Sequence, residues 1–256
     1  MTMQTWGLSD PGEVREQNQD AYAIVPFGHE RTLMVVCDGM GGAKSGNIAS
    51  SLAVEVFADE VRRCQKPGMT PEGAAVVLRG ALDLANKAVY EQSQLSDDFK
   101  GMGTTLVAAF FIKNRAALIN VGDSRAYHFC SEGVRQITTD HSMVELMVQR
   151  GELTREQAKN YPGKNVITRA VGIGNDPRPE VVTGVARPGD RFLICSDGLT
   201  EHMTDEDLTY LLAPGRDVQQ AAEPLIGLTL ERGAKDNVTV VVIDAAAASD
   251  DPGEGA

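Results

Sequence analysis

"LMVVCDGMGGAKSG", residues 33–46, runs five apolar residues, Leu33 to Cys37, into Asp38 and then into Gly39, Gly41 and Gly42. An apolar run of this length closed by glycine reads as a buried strand. Its ending admits two readings. Asp-Gly is a common turn dipeptide. The same residues suit a ligand site, with the acid holding a cation and the glycines letting backbone carbonyls approach it. Other strand ends bear on the choice. Asp197 follows an apolar run in "RFLICSDGLTE" (191–201), again before glycine. Asp123 follows one in "ALINVGDSRAY" (117–127). Asp236 precedes one in "KDNVTVVVI" (235–243), and Asp20 opens one in "QNQDAYAIV" (17–25).

Working outward, residues 20–25 and 33–37 read as a strand pair. Residues 45–64 carry Ala49, Leu52, Ala53, Val56, Phe57 and Val61 at helical spacing. Thr70 and Pro71 open a second helix that runs to about Glu91. Strands resume over 104–112, 116–121 and 126–130. Ser142 with Glu145, and Thr154 with Gln157, have capping-box spacing. Residues 159–180 are Pro/Gly-rich and read as a surface excursion with little core. A strand over 191–195, helices over 205–212 and 217–232, and a last strand over 237–243 follow. No linker divides the chain and no repeat is visible, so one domain over 1–244 is expected, with residues 245–256 a disordered acidic tail. Strands with helices in long pairs, rather than in strict alternation, predict an α+β fold with mainly antiparallel sheets.

The chain has 256 residues, 42% hydrophobic and 23% charged, which suits a globular protein with a sizeable core. No apolar run approaches the roughly 18 residues of a membrane span, and the first ten residues lack the pattern of a signal peptide. A cytoplasmic location is the default expectation, with no membrane partner. The net charge of -12 argues against a nucleic-acid-binding face. Cys37, Cys64, Cys130 and Cys195 form no C-x-x-C pair and read as free thiols.

If the apolar runs form the core sheets, their ends lie close and five carboxylates crowd one rim. Like charges a few ångströms apart repel and raise each other's pKa. Divalent cations remove that cost. Oxygen ligands without nearby histidine or cysteine pairs select Mg²⁺, Mn²⁺ or Ca²⁺ over Zn²⁺. Arg15, five residues before Asp20, would be out of place beside cations unless it faces a shared anion, and a guanidinium fork fits phosphate oxygens. Acids, metals and an arginine together suggest phosphate ester hydrolysis.

"SDPGEVREQNQDAY", "VVCDGMGGAKSG", "GMGTTLVAAFF", "NVGDSRAYHF", "DHSMVELMVQRGELT", "NVITRAVG", "FLICSDGLTEHMTDED" and "KDNVTVVVI" resemble, in order and over roughly residues 5–244, the metal-dependent Ser/Thr protein phosphatases of type 2C, bacterial branch. The resemblance implies a central sandwich of two antiparallel β-sheets flanked by antiparallel helix pairs, with a small flap at about 150–180. It implies hydrolysis of phosphoserine and phosphothreonine in proteins by a water activated between two metal ions, without a phospho-enzyme. Asp38 would bridge two Mn²⁺ or Mg²⁺ ions. Asp197 and Asp236 would complete the first site, and the Gly39 carbonyl and Asp20 would serve the second. Arg15 would hold the substrate phosphate. Asp123, with Asp197 and Glu201, matches a weaker third metal site. The partners implied are phosphorylated proteins and an opposing Ser/Thr kinase.

Three positions depart from the family pattern. Gln19 stands where many relatives have glutamate, Met40 replaces a histidine that serves eukaryotic relatives as general acid, and "NYPGKN" lacks a histidine before its proline. His141 is a candidate acid on chemistry alone, beside a structural reading and a metal-bound water. The rival classes are a non-catalytic phosphoprotein-binding module on the same fold, expected to have lost the acids, and a calcium-binding structural protein, expected to carry a D-x-D-x-D-G loop.

Overall fold

The computed structural model describes residues 3–42, 45–213 and 215–245. The chain begins with β1 (Gln4–Asp10), β2 (Asp20–Pro26) and β3 (Arg31–Met40), followed by α1 (Gly46–Cys64) and α2 (Pro71–Ser93). Strands β4 (Gly103–Thr104), β5 (Leu106–Ile112), β6 (Arg115–Val121), β7 (Arg125–Cys130) and β8 (Gly133–Gln136) come next. Then come α3 (Met143–Gln149), α4 (Arg155–Lys159), β9 (Glu180–Val185) and β10 (Arg191–Cys195). The last elements are α5 (Asp197–Thr200), α6 (Asp205–Leu211), α7 (Val218–Glu231) and β11 (Val238–Asp244).

Two antiparallel sheets result. One has the order β1-β11-β10-β7-β8, the other β2-β3-β5-β6-β9, with β4 beside the end of β3. The period of two along each strand sorts its side chains between two cores. On β3, Leu33, Val35 and Cys37 face α1 and α2, while Met34 and Val36 face the other sheet. On the other sheet, Leu193, Cys195, Val240 and Val242 pack on α5–α7, while Phe192, Ile194, Val241 and Ile243 face inward. Phe111 and Phe192 meet edge to face across the sandwich, ring centroids 4.9 Å apart. Each buried ring contributes about 1.5–3 kcal/mol by leaving water. The expected helix–sheet–sheet–helix layering is what forms.

Some elements differ from the sequence reading. β1, β8, β9 and the short α5 were not anticipated. β3 does not end at Cys37 but continues through Asp38 and Gly39 to Met40. Ser45 stands at the N-cap of α1 without a side-chain capping bond. Ser142 caps α3 through the Glu145 N–H, but the Glu145 carboxylate does not return to it; it pairs with Arg155 at 3.0 Å and ties α3 to α4. The Thr154–Gln157 box is complete. The excursion is mostly exposed, yet Val171 is fully buried in the α1–α2 core and bridges Thr104. Ala245, assigned to the tail, is buried and donates its N–H to the Asp190 carbonyl at 2.9 Å. The remainder of that expected tail, 246–256, lies outside the described residues.

Candidate metal centre

Antiparallel order places the acids at one end of both sheets. Asp20 opens β2 and Asp236 precedes β11, strands that run away from this end. Asp38 lies near the end of β3, Asp123 follows β6 and Asp197 follows β10, strands that run toward it. Asp20 and Asp38 are direct cross-strand partners. Asp38 continues the alternation of Met34 and Val36, so its carboxylate faces inward between the sheets.

The carboxylates interact strongly. Withdrawal from water, followed by repulsion from Asp20, Asp197, Asp123 and Asp236, holds the Asp38 pKa well above the usual carboxylate range. Asp197 is pushed up to about 8 by burial and then by Asp123, Asp236 and Glu201. Asp123 rises to about 6 through burial and the neighbouring Asp140. Asp20 rises to about 6 through burial, although hydrogen bonds from Thr239 and Ser196 oppose the shift. Both hydroxyls come from the opposite sheet and reach Asp20 Oδ2 at 2.7 Å. Asp20 Oδ1 is buried with no hydrogen-bond partner. An orphaned carboxylate oxygen among mutually repelling acids, with an all-oxygen donor set, fits a hard divalent cation. Among the described residues, no three Asp, Glu, His or Cys side chains stand in a ready-made metal-holding arrangement.

Gly39 and Gly198 explain why each acid is followed by glycine. A Cβ on Gly39 would lie 2.1 Å from the Gly46 carbonyl oxygen, and one on Gly198 would lie 2.1 Å from that of Asn237. Gly39 is in a strand and Gly198 in a helix, and neither has positive φ. The Asp-Gly pairs are therefore not turns; they mark places where two backbones nearly touch. Asn237 adds to the closure by accepting the Gln19 N–H and donating to the Pro11 and Gln17 carbonyls. That fixes the loop carrying Arg15. Gln19 is held by its backbone, its carbonyl accepting from Gly39 N–H and the Ser50 hydroxyl.

Arg15 Nη2 lies 2.8 Å from Asp236 Oδ2, with its side chain half exposed at the rim. Glu201 is in electrostatic reach of Asp197 and Asp123, and its carboxylate pairs with Lys164 of the excursion at 2.9 Å. All eight residues singled out in the sequence (Arg15, Asp20, Asp38, Gly39, Asp123, Asp197, Glu201 and Asp236) therefore belong to one rim. His141 is already engaged by two neighbours. Its Nδ1 accepts the Gly122 N–H at 3.1 Å, and Arg169 Nη1 stands 3.0 Å from Nε2. Burial and the Arg169 charge lower its pKa to about 4, so the ring is neutral at physiological pH. These contacts favour the structural reading of this histidine. Sequence reasoning missed Ser196, Thr239 and Asn237, which orient the acids and the Arg15 loop from distant parts of the chain.

A two-sheet sandwich with an acidic rim and one facing arginine defines a metal-site architecture suited to phosphate esters. The family model described as Protein phosphatase 2C matches residues 13–236. The serine/threonine phosphatase stp of Listeria welshimeri is 32% identical over 236 residues, covering 92% of this chain and 93% of that protein. The structure of serine/threonine phosphatase Stp1 from Staphylococcus aureus superposes with a TM-score of 0.89 at 32% identity, covering 96% of each chain. The catalytic domain of the serine/threonine protein phosphatase PstP, solved in complex with two manganese ions, superposes with a TM-score of 0.82 at 36% identity, covering 94% of this chain and 97% of that one. The chain belongs to the protein phosphatase 2C family.

Proposed function

We propose that this rim is the active site of a Mn²⁺- or Mg²⁺-dependent protein serine/threonine phosphatase that hydrolyses phosphoserine and phosphothreonine in proteins. The observation that carries this reading is the convergence of five aspartates from two sheets on one edge, with Arg15 facing them. Asp38, Asp197 and Asp236 would hold one cation; Asp38, Asp20 and the Gly39 carbonyl a second; Asp123, Asp197 and Glu201 a weaker third. When bound, the cations supply positive charge to the phosphoryl oxygens and lower the pKa of water, making it an attacking group at neutral pH.

The chain's own residues do the rest. Arg15, half exposed, turns its guanidinium from Asp236 to two phosphate oxygens and helps to stabilise the charge that builds on them. Asn237 fixes the backbone from which it reaches. Among the described residues, no serine at the rim is placed to form a phospho-enzyme. Ser124 Oγ and Ser196 Oγ are buried and bonded to Thr105 and Asp20, and Ser45 Oγ lies against the Gly42 carbonyl. Direct attack by water fits this set. We further propose one catalytic domain over 1–244, with residues 150–180 as a flap beside the rim, contacting it through Lys164. Among the described residues no helix is long and apolar enough to cross a membrane. A cytoplasmic location and an opposing Ser/Thr kinase complete the proposal.

The test is phosphate release from phosphothreonine, phosphoserine and phosphotyrosine peptides with Mn²⁺, with Mg²⁺ and with chelator. Turnover of the first two with either cation, and none in chelator, is expected. Metal-independent turnover would overturn the mechanism.

A further inference from the structure

We infer that Thr105, acting with Ser124, is a positioning residue that locks the strand end bearing Asp38 to the loop bearing Asp123. The inference rests on the reading of the rim as a cation site. Thr105 holds Asp38 from two directions: its N–H donates to the Asp38 carbonyl and its Oγ1 accepts the Asp38 N–H, both at 2.9 Å. The same Oγ1 lies 2.7 Å from Ser124 Oγ, where the two hydroxyls share a hydrogen bond. Both residues are buried, so no water substitutes for either partner. A hydroxyl, with one donor and two acceptor lone pairs, can accept from a backbone N–H and still exchange a hydrogen bond with a second hydroxyl, which a methyl in its place cannot.

The other side of Asp123 is pinned as well. Gly122 has φ +107, and a Cβ on it would lie 2.6 Å from Thr105 Cγ2, so the loop backbone rests on the threonine methyl. Gly122 also exchanges two hydrogen bonds with His141: its N–H to Nδ1 at 3.1 Å, and the His141 N–H to its carbonyl at 2.9 Å. Asp123 thus sits between two anchored neighbours, and one side chain, Thr105, touches both it and the strand of Asp38 through them. Neither hydroxyl approaches a rim carboxylate in the hydrogen-bond network, so their contribution is to place the acids rather than to ligate. The two limbs are separable. Removing the Ser124 hydroxyl breaks only the tie to the Asp123 loop, whereas removing that of Thr105 breaks that tie and the one to the Asp38 N–H.

The experiment is calorimetric titration of the full chain with Mn²⁺, for the parent and for Thr105→Val, Thr105→Ser and Ser124→Ala, with melting in chelator as a check on folding. Thr105→Val keeps the volume and is expected to weaken every class of site, by about 10–100-fold, as losing an orienting partner of a metal ligand does. Thr105→Ser keeps the hydroxyl and is expected to restore the tight sites. Ser124→Ala is expected to weaken only the weakest class. A folded Thr105→Val that titrates like the parent overturns the inference. If Thr105→Val does not fold, Ser124→Ala decides: an unchanged weakest class overturns it. A parent that takes up no Mn²⁺ instead overturns the reading of the rim.

Discussion

The two Asp-Gly junctions, one at a strand end of each sheet, present the same dipeptide in different backbones. At Asp38-Gly39 the strand continues and pairs with β4; at Asp197-Gly198 the strand has ended and a helix has begun. What they share is contact. Each glycine lies where a side chain would strike a carbonyl 2.1 Å away. Each acid is the residue just before that contact, so close approach of backbones, not chain reversal, is what the dipeptide encodes here. The comparison also separates the acids by dependence. Asp38 is gripped from its own sheet by Thr105 and Thr104, whereas the backbone of Asp197 is the start of a helical turn accepting from Glu201 and Thr200.

The largest effect that tests this comparison is loss of a rim acid. Asp38→Asn, at the position proposed to serve both of the tighter cations, is expected to lower kcat/KM more than Asp197→Asn does, whose second proposed cation is the weaker third. Its loss should exceed the ~10²–10³ that one charge-stabilising group carries in other enzymes. Steady-state hydrolysis of a phosphothreonine peptide at saturating Mn²⁺ measures both, and equal losses would remove the asymmetry. Next in size are the glycines. Gly39→Ala and Gly198→Ala should each cost about 1–3 kcal/mol or more, as overpacking does. Gly42→Ala, where a Cβ meets nothing within 4 Å, should cost little. Denaturant unfolding in chelator ranks the three.

The smallest effect is in pH. Asp20 and Asp123 titrate near 6 and Asp197 near 8 in the folded, metal-free chain, against ~4 for a free aspartate. Between those values the folded state keeps protons the unfolded chain has released. Metal-free stability from these groups is therefore full below about pH 4 and falls as pH climbs through 6 to 8. Bound Mn²⁺ replaces those protons, so the rise in melting temperature on adding Mn²⁺ should be greater at pH 8 than at pH 5.5. An increment that does not vary with pH would show that the acids are not shifted as described.

The strand-end acids were legible because a charge next to an apolar run is a sharp local contrast. The side chains that orient them were not. Ser196 and Thr239 reach Asp20 from 176 and 219 residues away, and an isolated hydroxyl carries no pattern of its own. β1 was hidden by Gly7, which is glycine because the Tyr22 ring lies over it, a Cβ there falling 2.5 Å from a ring carbon. β9 was hidden as a sheet edge, with Val181 and Val185 exposed and Gly184 inside the strand. The capping box expected at Ser142 formed only by half, for a tertiary reason: the cap is made, but Arg155 offers Glu145 a charge, which the N-cap backbone cannot.

The pairing of β1 with β11 matches Asp10 to Val238 next to the acids and Gln4 to Asp244 at the other extremity. Seven paired residues set these two ends roughly 20 Å apart. Gln4 and Asp244 thus lie side by side at the pole away from the acidic rim. A tether or surface attachment made beside Gln4 or Asp244 would leave a bulky phosphorylated protein free to approach the acidic edge.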